Sequence, residues 1–223
     1  MLKFALALVL IVSVLGKKEE KKGDNLCPTV RNVLCVRDVL REILFSAGIS
    51  KNNANEIEQF ILRYEPNEEL LNGHIKSKSK TIESTLPKSK NHQQYTNLTN
   101  ITKTDLINLV QEEVNAFNYI YKSIENVLKQ GNIFETSTER LFKQILTNIQ
   151  ENILCPYRSV LNVYSATPAS INEVNGIEIA ASKKKDLWSS FLYNVNSIIT
   201  ARLIQNWVDH TDNFISNLEK KFS

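Results

Sequence analysis

The chain has 223 residues, 42% of them hydrophobic, with only 6 Gly and 5 Pro and a formal net charge of +3. That length supports one domain with a real core, and so few breakers make long helices easy. The mild charge argues against nucleic acid as a partner, because that would call for a strongly basic face.

Residues 1–16 read as a secretion signal. Lys3 supplies the basic start, Phe4 to Leu15 the apolar run, and Val14-Leu15-Gly16 a cleavage site near Gly16. The run is too short to span a bilayer comfortably, and the charged stretch Lys17-Lys18-Glu19-Glu20-Lys21-Lys22 follows it at once. The competing reading is an uncleaved signal anchor. The expected product is a secreted, extracellular chain, 17–223, with no stable membrane insertion.

Helix A is expected over 28–47. Pro28 suits a first turn, Val30, Val33, Val36, Leu40, Ile43 and Leu44 form an apolar side, and Gly48 reads as a C-terminal cap. A long connection follows, Ile49 to Lys103. Within it a short amphipathic helix is expected over 51–64, carrying Ile57, Phe60, Ile61 and Tyr64 and stopped by Pro66. The stretch from Asn67 to Asn100, rich in Lys, Ser, Thr and Asn, reads as exposed loop. It contains two glycosylation sequons, at Asn97 and Asn100.

Helix B is expected over 104–130, from a Thr104 cap to Gly131, with Leu106, Val110, Val114, Phe117, Ile120, Tyr121, Ile124, Val127 and Leu128 on one face. A short link leads to helix C, 137–154, opened by the capping box Thr136-Ser137-Thr138-Glu139 and closed by Cys155-Pro156. A second long connection, Tyr157 to Ala181, precedes helix D, 182–221. Helix D would be about 60 Å long. Its apolar row Trp188, Leu192, Val195, Ile199, Leu203, Trp207, Phe214 and Leu218 steps mostly by four, so the stripe creeps around the helix. Such a surface needs partners of similar length, which makes D the long final helix of a bundle.

Three cysteines leave one over. Cys27 and Cys35 would be about 12 Å apart on one helix, beyond disulfide reach. Cys27–Cys155 is the favoured pair, with Cys35 either a free thiol or the link of a disulfide-bonded dimer.

The connections run long, short, long. The short one makes B and C antiparallel neighbours, while the long ones allow A and B, and C and D, to run parallel. The expected fold is therefore an all-α, up-up-down-down four-helix bundle with two long crossover connections.

No catalytic signature is present. There is no HExxH, no close Cys/His set, no G-x-S-x-G and no phosphate-cradling Gly-rich loop. No cofactor, metal or enzymatic activity is expected. His74, His92 and His210 read as solvated surface residues. Lys183 to Lys185 and Lys220-Lys221 read as solvated helix ends, or as contacts to glycosaminoglycan or anionic lipid. Trp188 and Trp207 at stripe spacing read as core, or as receptor anchors.

The signal, the four long helices, the linkage pattern, sequons in the first crossover and a cysteine before helix A together resemble the long-chain helical cytokines. The likeness is closest to the interleukin-6 type, in particular the oncostatin M and leukaemia inhibitory factor group. There a cysteine preceding helix A pairs with one after helix C, matched here by Cys27 and the Cys155 of Asn152-Ile153-Leu154-Cys155. Leu203-Ile204-Gln205-Asn206-Trp207-Val208 is also similar to helix D of ciliary neurotrophic factor-like members. The chain departs from members that engage the leukaemia inhibitory factor receptor, which carry Phe-x-x-Lys near the start of helix D; here the stretch is Lys183-Lys184-Lys185-Asp186-Leu187-Trp188. Type I interferons also tie the N-terminus to the region after helix C.

The resemblance implies a secreted ligand that binds and clusters cell-surface cytokine receptors. The exposed faces of A and C would meet a transducing receptor such as glycoprotein 130, and the end of D with the A–B connection a specific one. Arg31, Arg37, Arg41, Arg202 and Asp209 are the polar candidates on those helices. An interferon-like cytokine, marked by a fifth core helix for which 51–64 is the candidate, is one alternative. A helical carrier of a lipid or small apolar ligand, held against the broad apolar arc of helix D, is another.

Overall fold

The computed structural model describes Cys27, Val33 and residues 35–95, 101–130, 132, 137–164, 174–179 and 186–222. The signal segment, Arg31, the two sequon asparagines Asn97 and Asn100, and Lys183 to Lys185 lie outside the described residues. Among the described residues the regular structure is entirely helical, and no helix is long and apolar enough to cross a membrane.

Helix α1 spans Val36–Tyr64 without a break. Cys35 precedes it in extended conformation, so the described helix starts later than residue 28. Gly48 does not end it, and the separate short helix over 51–64 is simply its second half. The reason lies in the buried row Ile43, Ala47, Ser50, Ala54, Ile57 and Ile61, which alternates steps of four and three straight through the glycine. A helical glycine costs about 1 kcal/mol relative to alanine, less than that stripe recovers when it is buried.

The expected loop beyond Pro66 holds α2, Glu68–Ile82. The Asn67 side chain caps it by accepting from the Leu70 amide at 3.0 Å, and Leu71, Ile75 and Ile82 are its buried residues. A single 3-10 turn, Glu83–Thr85, and a short helix α3, Lys90–Tyr95, complete this connection.

Helix α4, Lys103–Leu128, starts at a capping box formed by Thr102 and Asp105, two residues earlier than the Thr104 cap expected. The Thr102 hydroxyl and amide hold the Asp105 carboxyl below its usual range. Helix α5, Ser137–Ile149, does not stop at Cys155-Pro156. It runs through a π turn, Gln150–Leu154, into α6, Cys155–Tyr164. The buried row Ile145, Ile149, Ile153, Tyr157 and Leu161 steps by four throughout, and a turn closed from the Cys155 amide to the Gln150 carbonyl keeps that row on one side. Pro156 lies directly after the π turn, where the α-helical hydrogen-bond ladder is already interrupted.

Helix α7, Leu187–Phe222, begins at 187 and not 182, because the Asp186 carboxylate accepts from the Ser189 amide at 2.7 Å and caps it there. From Val195 to Ala201 every residue is buried, so α7 is enclosed on all sides along that stretch. It is the axis of the molecule.

Side-chain pairs give the helix directions. Between α1 and α7, Arg41 pairs with Glu219, Lys51 with Asp209, Glu58 with Arg202 and Glu65 with Asn194, so the two are antiparallel along their whole shared length. Between α4 and α7, Glu113 meets Thr211 and Gln130 meets Asn196, again antiparallel. Asn148 of α5 reaches the Ser46 carbonyl and the Ser50 hydroxyl, while Ser137 and Thr138 lie near Phe60 to Glu65, so α5 opposes α1.

The first connection descends along α7. His74 of α2 packs on Phe191, and His92 of α3 packs on Trp207, sixteen residues further on and about 24 Å along the axis. From the second connection, residues 174–179 lie against α4. The Ile177 amide donates to Ser123 Oγ at 2.9 Å, the Asn126 side chain donates to the Ile177 carbonyl at 3.1 Å, and Lys78 of α2 donates to the Glu178 carbonyl at 3.0 Å.

Candidate functional site

The α1–α7 seam carries most of the sequence-nominated residues. Arg41, Arg202 and Asp209 are each engaged across it, with Glu219, Glu58 and Lys51 respectively. Glu58 is the best-held acceptor, receiving Arg202 Nε at 2.7 Å and Gln205 Nε2 at 2.9 Å. Exposed pairs of this kind contribute little to stability. Their spacing along both helices fixes the register in which the apolar rows meet. Arg37 stands apart, exposed and 3.9 Å from its neighbour Asp38.

On the outer face of α1, Phe45 is 73% exposed and Ile49, one turn on, is 41% exposed. They flank Ser46 and Ser50, which receive Asn148 from α5, so this apolar pair lies where α1 borders α5. Nothing in a spacing argument singled them out. An exposed Phe beside an Ile on a helix otherwise patterned for a core is the signal that was there to find.

A second surface sits at the end of the molecule where α1 finishes and α7 begins. Trp188 is 55% exposed. It belongs neither to the core nor to the apolar row assigned to it. It stacks on Phe191 with ring centroids 5.4 Å apart, and His74 meets both rings edge-on. Beside it a groove of about 780 Å³ is lined by Phe60, Tyr64, Pro66, Leu187 and Phe191, with Thr138 and Asn194 among its polar positions. Trp207, in contrast, is a core residue.

The third feature is buried. His92 lies against α4 and α7 and is not on the surface. Its Nδ1 is 2.6 Å from Glu112 Oε2 and its Nε2 is 2.7 Å from Glu113 Oε1. Glu112 also accepts the Asn91 and His92 amides, both at 3.1 Å. Glu113, fully buried, faces the Thr211 hydroxyl at 2.7 Å, which has its single proton to share with the Trp207 carbonyl at 3.0 Å. The Tyr157 hydroxyl is buried in the same cluster, and burial together with Glu113 pushes its ionisation well above the usual phenol range. Burial lowers the affinity of His92 for a proton, but the two carboxylates outweigh it and hold the imidazole above its usual value. His210, half-buried with its ring 5.6 Å from that of His92, is pushed the other way, first by burial and then by His92. Glu113 sits at the fourth position of the apolar run Val110, Val114, Phe117. An acid on an apolar face needs a buried partner, and that was the sequence clue to His92.

Cys27 and Cys155 are joined in a disulfide with Cα atoms 5.4 Å apart, and Cys35 is a free, half-buried thiol. Among the described residues no group of three or more His, Cys, Asp or Glu side chains is arranged to hold a metal ion. Comparison with known protein families, with curated proteins and with solved structures finds no match.

Proposed function

We propose that the chain is a secreted helical cytokine, an up-up-down-down four-helix bundle that binds and clusters class I receptors of the glycoprotein 130 type to trigger JAK-STAT signalling. Helices A to D of this reading are α1, α4, α5 with α6, and α7. The observation that carries it is direction. Helices α1 and α4 both oppose α7, α5 opposes α1, and the connections leading into α4 and α7 are the long ones. The Cys27–Cys155 bridge joins the chain ahead of α1 to the α5–α6 helix, inside helix C of this reading and not after it as in the group it resembles. Phe45 and Ile49 offer an apolar centre on the α1 face that the resemblance assigns to the transducing receptor, and Arg37 and Arg41 border it.

The test is tyrosine phosphorylation of STAT proteins within minutes of adding purified mature chain to responsive cells. A dose-dependent signal that Phe45→Glu abolishes, with the fold intact, is the expected result. Silence across a broad panel of tissues would overturn the reading. The pattern of STAT proteins activated would separate the interleukin-6 type from the interferon type, whose candidate fifth helix, 51–64, is here part of α1. One observation favours the carrier alternative, the apolar groove beside Phe191 and Leu187. Recovery of a stoichiometric apolar ligand by native mass spectrometry would support it.

A further inference from the structure

We propose that His92 is a proton-dependent clasp holding the first crossover to the body of the molecule, closed when the cluster carries a proton and open when it loses it. The inference stands on geometry and is independent of the receptor reading. Both ring nitrogens of His92 lie at hydrogen-bond distance from carboxylate oxygens, 2.6 Å to Glu112 and 2.7 Å to Glu113. A neutral imidazole has one N–H and one lone pair. It can satisfy one of these contacts, and the other then sets a lone pair against a carboxylate. Satisfying both contacts takes one proton more than a neutral ring between two carboxylates supplies, which an imidazolium donating to both provides.

The proton matters because polar contacts tying α3 to α4 converge on these two carboxylates. Glu112 accepts the Asn91 and His92 amides as well as the ring, and Asn91 makes a long contact of 3.4 Å to the Asn108 carbonyl. Deprotonation sends the proton to solvent and leaves one of the two carboxylates facing a ring lone pair. The groups around the clasp do not replace the lost charge. From α4 come only the two carboxylates. From α7 comes His210, whose affinity for a proton is lowered by burial and by His92, with Asp209 beyond it paired to Lys51. From α6 comes the Tyr157 hydroxyl, which burial keeps protonated. Opening uncovers the edge of Trp207, whose ring lies 5.7 Å from that of His92.

The sign follows from the raised affinity. A histidine that binds its proton more tightly when folded contributes fully below its unfolded value, about 6.5, and the contribution is lost as pH rises through the folded value. The clasp is thus closed in acidic compartments and opens on the alkaline side of the ordinary imidazole range.

The experiment follows Trp207 emission in a Trp188→Phe background from pH 6 to 10, with hydrogen exchange of residues 90–95 corrected for its intrinsic pH dependence. The expected result is one transition with its midpoint above about 6.5, together with an at least roughly tenfold loss of protection in α3 while α7 stays protected. His92→Gln removes the transition. Glu112→Gln, at the edge of the cluster, keeps the fold and moves the midpoint to lower pH, which covers the case in which His92→Gln does not fold. No transition across this range, a transition that survives in His92→Gln, or a midpoint unmoved in Glu112→Gln would each overturn the proposal.

Discussion

Arg202 on α7 donates to Glu58 on α1 across 144 positions of sequence, with its Nε 2.7 Å from the carboxylate. Arg202 is half-exposed and Glu58 largely covered, so the pair is screened on one side only. Arg202→Ala is expected to lower stability by about 1 kcal/mol or less, read as a small shift of the urea midpoint. Reversing Arg202 alone to Glu places two acids together and costs more. Adding Glu58→Arg to it recovers most of the loss. Failure of the double reversal to recover would mean that Gln205, not the ion pair, holds Glu58.

Gly48 distinguishes a continuous α1 from two helices meeting at a cap. It is helical, with no positive φ, and a Cβ built on it meets nothing within 4 Å. Gly48→Ala is therefore expected to stabilise the protein by about 0.5–1 kcal/mol, seen as a higher thermal midpoint. Were Gly48 a left-handed cap, the same change would destabilise.

Gly176 behaves in the opposite way. A Cβ there would lie 2.2 Å from the Ser123 amide nitrogen and 2.5 Å from the Lys122 carbonyl carbon. These are backbone atoms of α4 and cannot swing aside. Gly176→Ala is expected to cost roughly 1–3 kcal/mol and to raise hydrogen exchange at the Ile177 amide, which now donates to Ser123.

The Cys27–Cys155 bridge closes a segment of 128 positions. By chain entropy a loop of that length stabilises the native state by about 4–5 kcal/mol. Replacing both cysteines by serine should lower the guanidinium midpoint accordingly. Cys35→Ser alone should leave it where it is and should abolish any disulfide-linked dimer.

The long helices were legible because their apolar rows are dense. Helices α4 and α7 lie close to where periodicity put them, and the errors fall at points where one residue was given too much weight. Gly48 on its own signals a stop, though the row Ala47, Ser50, Ala54 continues past it in residues too small to mark an apolar stripe. Cys155-Pro156 likewise signals an end, though Tyr157 and Leu161 carry on the four-step row. Helix α2 was hidden because Leu71, Ile75 and Ile82 are its only buried residues amid Lys and Ser. For the functional surfaces, sequence named the seam residues Arg41, Arg202 and Asp209 but not their partners, because pairing between the first and last helices is set by tertiary register. His92 was missed for a related reason. Its burial is decided by two glutamates some twenty positions away and by nothing in its own segment.

The enclosed stretch of α7, from Val195 to Ala201, also governs when the protein can come into being. Helix α1 finds its antiparallel mate 144 positions further on, at Arg202, and the axis on which α4 also packs is absent until α7 is made. Helices α1, α4, α5 and α6 can meet one another first, but the faces they turn to α7 have no cover until it is released. Completing the fold waits on this long-range meeting of α1 with α7, and until then the faces destined for α7 stay open to whatever escorts a chain through the secretory route proposed for it.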